Sequence, residues 1–340
     1  MRRRVVLAAG CAGLGYLVNG YSAQASLRPV TVWVQGKHHI KQLPLLLAQR
    51  LGFFAAEGID VQFHEVPPAV RTLTEVAALP ATVFSGSFER TLYLNAMGKS
   101  HQSFVALSRS PQVVLGMSVR HSSPNAAWSD LVGGVMGVPT IGGTAHRVAQ
   151  LALLRAGLRP SDVQFMEMPD PAMAMHAFSR GDVDALSYTD PLVTQLERMG
   201  EFRVLSDTRT LRDTESIFGG PVTCTCMSAP EEFIERNPQL IQSVTDAIVR
   251  ALKWLHTAGP QDLVRHTPEE WKMFDLGVYL AAFNRSRETI SVDGMSPPRA
   301  SSNVLRALDK LRLPIDVQRI NPDTSYTNRF VIKSKQRFRV

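Results

Sequence analysis

The residues best suited to hold a small charged molecule lie where predicted strands and helices begin or end. Gly142, Gly143 and Thr144 stand at the start of a predicted helix. A helix start has unpaired backbone N–H groups and a partial positive charge, and the Thr144 hydroxyl adds a further donor, so this segment predicts a seat for an oxyanion. The same residues also fit an ordinary helix cap preceded by a flexible turn.

Two further groups of polar residues follow predicted strands. Gln35 and Gly36 end the first strand, and Ser85, Gly86 and Ser87 form a predicted turn after another. Open α/β sheets bind ligands beyond the carboxyl ends of their strands, so Gln35, Gly36, Ser85 and Ser87 are candidate ligand contacts. Ordinary turn chemistry explains the same residues equally well.

A third group, Tyr188 and Asp190, ends a strand in the second half of the chain. Asp190 can pair with an ammonium or amidine group of a ligand. Alternatively, its carboxylate caps the helix that follows Pro191. Both interpretations stay open from the sequence.

No catalytic constellation is visible, and we predict a protein that is not an enzyme and that uses no cofactor and no metal. Ser85 lacks the flanking glycines of a nucleophile elbow, and the glycine pairs lack the Lys-Ser or Lys-Thr of a phosphate loop. Residues 37–41, Lys-His-His-Ile-Lys, place cations near the first strand, where they could attract an anion. Adjacent histidine side chains diverge, so a solvated loop is favoured over a metal site.

Hydrophobic periodicity indicates strands alternating with helices up to about residue 199, and helices alone after residue 230. Such an alternation predicts α/β sheets in two successive halves of the chain. The predicted strands span residues 30–34, 59–66, 81–84, 102–107, 113–119, 134–138, 163–168 and 183–188.

Composition and charge narrow the class of protein. The 340 residues are 44% hydrophobic and 20% charged, which is typical of a globular chain. The net charge of +7 is concentrated in Arg2, Arg3 and Arg4 and in a basic tail after Tyr326. The remainder is near neutral, so no nucleic-acid partner is predicted, and the tail, residues 329–340, is interpreted as solvated.

The amino terminus has the organisation of an export signal. Three arginines precede an apolar stretch, residues 5–18, and Ala23-Gln24-Ala25 is typical of a cleavage site. The mature chain is predicted to begin at Ser26 in the periplasm, and lipid anchoring at Cys11 is not favoured. In that oxidising compartment, Cys224 and Cys226 are interpreted as two buried free thiols, with a strained disulfide as the second interpretation.

Several segments together resemble a known family. Residues 43–61 (LPLLLAQRLGFFAAEGIDV), 128–131 (WSDL), 142–146 (GGTAH), 180–185 (RGDVDA) and 229–238 (APEEFIERNP) are similar to the solute-binding proteins of bacterial nitrate, sulfonate and taurine ABC importers. These proteins are related in fold to pyrimidine-precursor binders. The resemblance runs from about residue 30 to about residue 270.

The resemblance implies an α/β fold, that of a type II periplasmic binding protein, with two lobes, a cleft between them and C-terminal helices packed on the first lobe. The expected crossovers lie near residues 115–119 and 222–226. The expected ranges are a signal peptide at 1–25, lobe 1 at 26–117 and again at 225–328, lobe 2 at 118–224, and the basic tail at 329–340.

The resemblance also implies that a monomer captures a small-molecule ligand, a small organic anion such as a sulfonate, and delivers it to an ABC permease in the inner membrane. A sharper version places a sulfonate at Gly143 and Thr144 and an ammonium at Asp190. The family often has Trp-Glu-Pro where this chain has Thr189-Asp190-Pro191, which suggests a roomier pocket. Alternatives are an enzyme of the same fold, a lyase or synthase, and a ligand-sensing partner of a membrane receptor.

Overall fold

The computed structural model describes residues 27–37, 39–67, 70, 73–80, 82–120, 127–267, 275–313 and 316–340. The predicted signal peptide with Cys11, and also His38, lie outside the described residues. Within the described part of the chain, every helix is too short or too polar to span a bilayer.

The described residues form ten strands, in two sheets of five. The strands are β1 (Arg28–Val34), β2 (Ile59–Glu65), β3 (Val83–Ser87), β4 (His101–Ser108), β5 (Val113–Ser118), β6 (Val135–Val138), β7 (Gln164–Glu167), β8 (Ala185–Thr189), β9 (Phe202–Asp207) and β10 (Thr225–Pro230). The first sheet has the order β2-β1-β3-β10-β4, and the second has the order β7-β6-β8-β5-β9. Each sheet contains three neighbouring parallel strands. An antiparallel strand from elsewhere in the chain pairs beside them, β10 next to β3 in the first sheet and β5 next to β8 in the second.

Helices cover the faces of both sheets. They are α1 (Leu43–Arg50), α2 (Phe53–Ala56), α3 (Leu73–Ala78), α4 (Phe88–Ala96), α5 (Thr144–Arg155), α6 (Pro171–Arg180), α7 (Leu192–Arg198), α8 (Leu211–Phe218), α9 (Glu231–Arg236), α10 (Pro238–Thr257), α11 (Pro260–Arg265), α12 (Leu276–Ser286), α13 (Ala300–Lys310) and α14 (Arg329–Phe338). These elements make two α/β lobes, as the sequence predicted.

The long helix α10 covers the first sheet. Its residues Val244, Ile248 and Leu252 recur every four positions and are fully buried, so one face of the helix is apolar throughout. This face packs against α1, α2 and β4. The C-terminal helices do not all stay on the first lobe, however, because Val304 and Leu308 of α13 share a core with α5 and α8 of the second lobe.

The first predicted crossover is wrong. β5 pairs with β8 and β9, so the chain leaves the first sheet between Ser108 and Val113, ahead of residues 115–119. It returns between Phe218 and Thr225, a stretch that overlaps the predicted second crossover at 222–226. Both connections are short, so two brief segments of backbone join the lobes.

The basic tail is not a solvated terminus. Residues 329–338 form α14, whose Phe330 and Val331 are buried against α10. Arg337 of this helix pairs with Glu57 and with the buried Asp246. The prediction failed because Phe330 and Val331 are buried against the first lobe, and because Lys335 also has a carboxylate partner there, Asp293.

The predicted turn at Ser85-Gly86-Ser87 is also wrong, since β3 continues to Ser87. Here Gly86 pairs with Cys226 of β10. A Cβ at Gly86 would lie 2.4 Å from the Phe84 ring and 2.9 Å from Oε1 of Gln35, so close approach explains the glycine.

Cys224 and Cys226 are free thiols, as predicted. Cys226 is buried in β10, and Cys224 is half-buried just before it. Burial raises the pKa of the Cys226 thiol to about 12. Burial also raises the pKa of the Cys224 thiol, with a further contribution from Glu89.

His101, at the start of β4, makes stability depend on pH. Its side chain is buried, its Nδ1 lies 3.2 Å from the carbonyl oxygen of Lys99, and burial lowers its pKa to about 4. At pH values below about 6.5, the ordinary pKa of histidine, the unfolded chain binds a proton at this side chain, whereas the folded chain does not. The free energy of unfolding should therefore be highest above the unfolded-state pKa of His101 and should fall as the pH drops toward 4.

Urea unfolding at about pH 7.5 and about pH 5 measures this dependence. His101→Gln should show a smaller loss between the two pH values than the wild type. His176→Gln, at an exposed histidine of α6, should keep the wild-type loss. Equal losses in wild type and His101→Gln would contradict the assignment.

Candidate ligand-binding cleft

A cavity of about 150 Å³ lies between the two lobes. β1 and β3 of the first sheet and β6 and β8 of the second end beside it. The first lobe contributes the residues just beyond β1, with Gly86 and Ser87 of β3. The second lobe contributes the loop after β6 and the start of α5. The residues that bound it include Gln35, His39, Lys41, Ser87, Pro139, Thr140, Gly143, Thr144, Ala145 and Thr189.

The start of α5 presents donors to this cavity. Gly143 precedes the helix and offers no side chain to cap it. Its own N–H donates to the carbonyl of Thr140 at 3.0 Å, and the N–H of Gly142 donates to Nδ1 of His146 at 3.0 Å. Thr144 and Ala145, the first two residues of α5, border the cavity, and their amides have no partner within the helix. The amides free to donate at this helix start are therefore those of Thr144 and Ala145, whereas those of Gly142 and Gly143 are already bonded.

Lys41 borders the cavity from the first lobe, whereas α5 borders it from the second. It lies in a single turn of 3-10 helix, Ile40–Gln42, that follows β1, and its side chain is half-buried. Burial lowers the pKa of Lys41, and the nearby Cys224 and Glu89 oppose that shift. An anion in the cavity would favour the charged ammonium, because opposite charges at close range stabilise one another.

Ser85 positions this turn and does not border the cavity. Its hydroxyl donates to Oε1 of Gln42 at 2.7 Å, and the Gln42 amide donates to the carbonyls of Gln35 at 3.0 Å and Ser85 at 3.2 Å. All of these groups are buried or half-buried. Gly36, at φ 66°, makes the bend between β1 and this turn and also lies outside the cavity lining.

Gln35 and Ser87 both border the cavity. Oε1 of Gln35 accepts a 3.4 Å hydrogen bond from the N–H of Ser87. Among the described residues, the side-chain amide nitrogen of Gln35 makes no hydrogen bond, so it remains able to donate one. The Ser87 hydroxyl caps α4, accepting from the N–H of Glu89 and donating to its carboxylate, both at 3.2 Å.

Tyr188 and Asp190 border a second, adjoining cavity. The Tyr188 hydroxyl donates to the carbonyl of Met168. Oδ1 of Asp190 accepts from the N–H and the hydroxyl of Thr194 at 2.9 and 2.7 Å, and Oδ2 lies 3.3 Å from Nη1 of Arg209. The carboxylate thus acts as the cap of α7, and its oxygens are already bonded. This arrangement fits the capping interpretation and leaves no basis for a ligand ammonium at Asp190.

A buried ion pair crosses from one lobe to the other behind the first cavity. Glu89 of α4 accepts a hydrogen bond from Nη2 of Arg147 of α5, with 12% and 6% of the two side chains exposed. Arg147 also donates to the carbonyl of Gly142 and approaches the Thr144 hydroxyl at 3.5 Å. Arg147 therefore contacts both Glu89 of the first lobe and the residues that lead into α5.

Glu89→Gln should shift the chain toward an open arrangement. The neutral amide loses a charge-assisted bond, a contribution of about 1.5 to 3 kcal/mol. Arg147 regains water only if the lobes separate. Small-angle X-ray scattering of the unliganded protein should give a larger radius of gyration for the variant.

The matched control is Glu232→Gln, which removes an exposed carboxylate paired with Arg236 within α9. It should leave the radius of gyration unchanged. A Glu89→Gln variant as compact as the wild type would show that the ion pair does not hold the lobes together.

Two residues of the site, Glu89 and Arg147, were not predicted from the sequence. Lys41 belongs to the basic segment at residues 37–41, which was noted as able to attract an anion but was interpreted as a solvated loop. The structure instead places Lys41 in a half-buried turn just after β1. Glu89 and Arg147 carry no local signal, since only the approach of α4 to α5 brings them together. Among the described residues, no three side chains of His, Cys, Asp and Glu are grouped to hold a metal ion.

Two α/β lobes, linked by two passages of chain and enclosing a cavity, define the fold of the periplasmic binding proteins. The model of the NMT1/THI5-like family matches residues 39–262. The chain belongs to this family.

Individual relatives agree with this assignment. A solved structure from Bordetella bronchiseptica RB50 is 34% identical, with a TM-score of 0.80, over 93% of this chain and 99% of that one. A Bacillus subtilis (strain 168) protein that carries the provisional name of a binding protein, YtlA, is 22% identical over 85% of both chains. The periplasmic aliphatic sulphonate binding protein SsuA from Escherichia coli is 19% identical, with a TM-score of 0.65, over 86% of this chain and 92% of that one.

Proposed function

We propose that this chain is the exported solute-binding component of an ABC importer, which captures a small, sulfonate-like organic anion between its lobes and delivers it to a membrane permease. One observation carries the proposal. The uncapped start of α5 in one lobe and the Lys41 ammonium in the other border the same cavity. Helix N-termini and cations are the two groups that favour a bound anion.

The two-lobed architecture suits capture by closure. An anion that contacts Lys41 and α5 together satisfies both only when the lobes are close, so binding favours the closed state. A permease can then distinguish the loaded protein from the empty one. The similar Escherichia coli protein, SsuA, is a periplasmic binder of aliphatic sulphonates, and this supports the ligand class. Together with the signal-like N-terminus, the same relative supports a periplasmic location.

A binding role agrees better with the chemistry of the cleft than catalysis does. The Ser87 hydroxyl is engaged by Glu89, with no histidine bonded to it among the described residues. Burial raises the pKa of the Cys224 thiol, which keeps it in the unreactive protonated form. We propose a monomer that acts on no nucleic acid and catalyses no reaction.

Thermal unfolding of the mature chain, residues 26–340, with sulfonates, phosphonates, nitrate, carboxylates and pyrimidines tests the proposal. An anion at 100 times its Kd should stabilise the fold by about 2.7 kcal/mol. Organic anions should raise the melting temperature, whereas their uncharged analogues should not. A response to neutral or cationic compounds alone, or conversion of a bound compound to product, would overturn it.

A further inference from the structure

A second cavity continues the cleft beyond the anion seat. It measures about 230 Å³ and shares His39, Pro139 and Thr189 with the first cavity. The remaining lining comes from the second lobe, from α6, β8 and α7 and the loops beside them. A molecule seated at Lys41 and Thr144 that is longer than its anionic group extends into this space.

The wall of the second cavity is mainly carbon. Its apolar members are Pro139, Pro169, Pro171, Ala172, Met175, Pro191 and Leu192. Proline lacks a backbone N–H, so four of these residues bring no main-chain donor to the cavity. Met175 is a flexible, polarizable side chain of a kind that adapts to apolar ligands.

Of the polar residues in this wall, Tyr188 and Asp190 are bonded within the protein, whereas His39 and Thr189 also border the first cavity. The Tyr188 hydroxyl is taken by Met168, and the Asp190 carboxylate by Thr194 and Arg209. Gln195 is exposed and lies at the mouth. A charged or polar ligand group placed between α6 and α7, away from His39 and Thr189, would lose its water without gaining a partner, which is unfavourable.

The volume sets the size of the occupant. A protein cavity of about 150 Å³ holds one benzene molecule. The second cavity, at about 230 Å³, has room for a larger ring system.

Resting on the proposed function, we infer that the ligand is an organic anion with a bulky apolar body, of the size of one or two aromatic rings, and that this body occupies the second cavity. A short sulfonate fills only the anion seat. A zwitterion with an ammonium at its far end places a charge against carbon and is disfavoured.

Calorimetric titration with methanesulfonate, taurine, benzenesulfonate and naphthalene-2-sulfonate tests the inference. All four share the sulfonate, so they differ only in what enters the second cavity. The affinity should rise with the apolar body, by about 30-fold or more from methanesulfonate to naphthalene-2-sulfonate, and taurine should bind no better than methanesulfonate.

The variant Ala172→Trp provides a second test of the inference. Ala172 lies in the first turn of α6, its side chain is exposed, and it borders the second cavity, so a large ring there fills the space without disturbing a core. The variant should lose about tenfold or more in affinity for naphthalene-2-sulfonate and keep its affinity for methanesulfonate. Met173→Trp, at the next residue, which is 46% exposed and outside this lining, should bind both as the wild type does.

Equal affinities across the series, tightest binding of taurine, or an Ala172→Trp variant that binds naphthalene-2-sulfonate normally would each overturn the inference while leaving anion binding intact. If neither this series nor any other class of anion binds, the proposed function itself fails.

Discussion

Replacing Arg209 by methionine is expected to remove about 3 to 5 kcal/mol from the free energy of unfolding. Arg209 follows β9 in the second lobe, and none of its side chain is exposed. It contacts the carboxylates of Asp190, Glu197 and Asp207. A loss of this size is a large part of the roughly 5 to 15 kcal/mol that stabilises a typical domain.

The magnitude follows from the geometry of the pairs. Nη2 of Arg209 lies 2.7 Å from Asp207 and 3.1 Å from Glu197, and Nη1 lies 3.3 Å from Asp190. Burial alone would lower the pKa of Arg209, but bonds to Asp207 and Glu197 and the charge of Asp190 outweigh it and raise that pKa. Without the guanidinium, three neighbouring carboxylates would face one another, partly compensated by Arg285 on Glu197.

Urea unfolding of the wild type and of Arg209→Met measures the loss. Arg209→Lys should fall between them, because an ammonium keeps the charge but not the planar fork that bonds three carboxylates. Arg180→Met is the control, since it removes an exposed pair with Asp182, an interaction of about 0 to 1 kcal/mol. A loss at Arg209 no larger than at Arg180 would contradict the role assigned to this network.

Short-range patterns account for the elements that the sequence predicted well. β2 alternates buried Ile59 and Val61 with exposed Asp60 and Gln62, which is the signature of a half-buried strand. Gly58, before it, has φ 77°, a conformation that glycine adopts without strain. The alternation in β2 and the glycine before it each depend on a few neighbouring residues, so the sequence alone is enough to predict them.

The incorrect predictions concern elements that depend on distant partners. Ser85, Gly86 and Ser87 favour turns locally, yet pairing with β10 holds them in a strand. β9 and α8 escaped prediction. In β9 only Phe202 and Ser206 are buried, so its hydrophobic pattern is weak. α14 depends on burial of its apolar residues against α10 and β4, which lie far away in the sequence.

Predictions for the cleft also succeeded where the signal was local and failed where distant residues decide the role. Thr144 was predicted because a helix start is a local feature, and it borders the cavity. The choice between the two interpretations of Asp190 needed Arg209 and Thr194, which only the fold brings to it. The second cavity had one signal in the sequence, the small Thr189 before Asp190 and Pro191, which suggested a roomier pocket. The rest of its wall combines residues from several separate elements and could not be predicted.

Lys41→Met is expected to weaken anion binding about 100-fold, or about 2.7 kcal/mol. The methionine keeps the length and apolar stem of the side chain but removes the ammonium from the cavity. The unliganded protein should be as stable as the wild type or more so, because burial disfavours the charged form of Lys41. A residue that only supports the fold would give the reverse pattern, with lost stability and retained affinity.

Two measurements separate these patterns: urea unfolding without ligand, and calorimetric titration with the tightest-binding anion of the panel. Lys99→Met, at an exposed lysine of the same lobe and outside the cavity lining, should match the wild type in both. Because the pKa of Lys41 is lowered, wild-type affinity should also decline with rising pH before an ordinary lysine would lose its proton, and Lys41→Met should lack this decline. Undiminished affinity in Lys41→Met would remove this ammonium from the anion seat and leave the start of α5 as its main component.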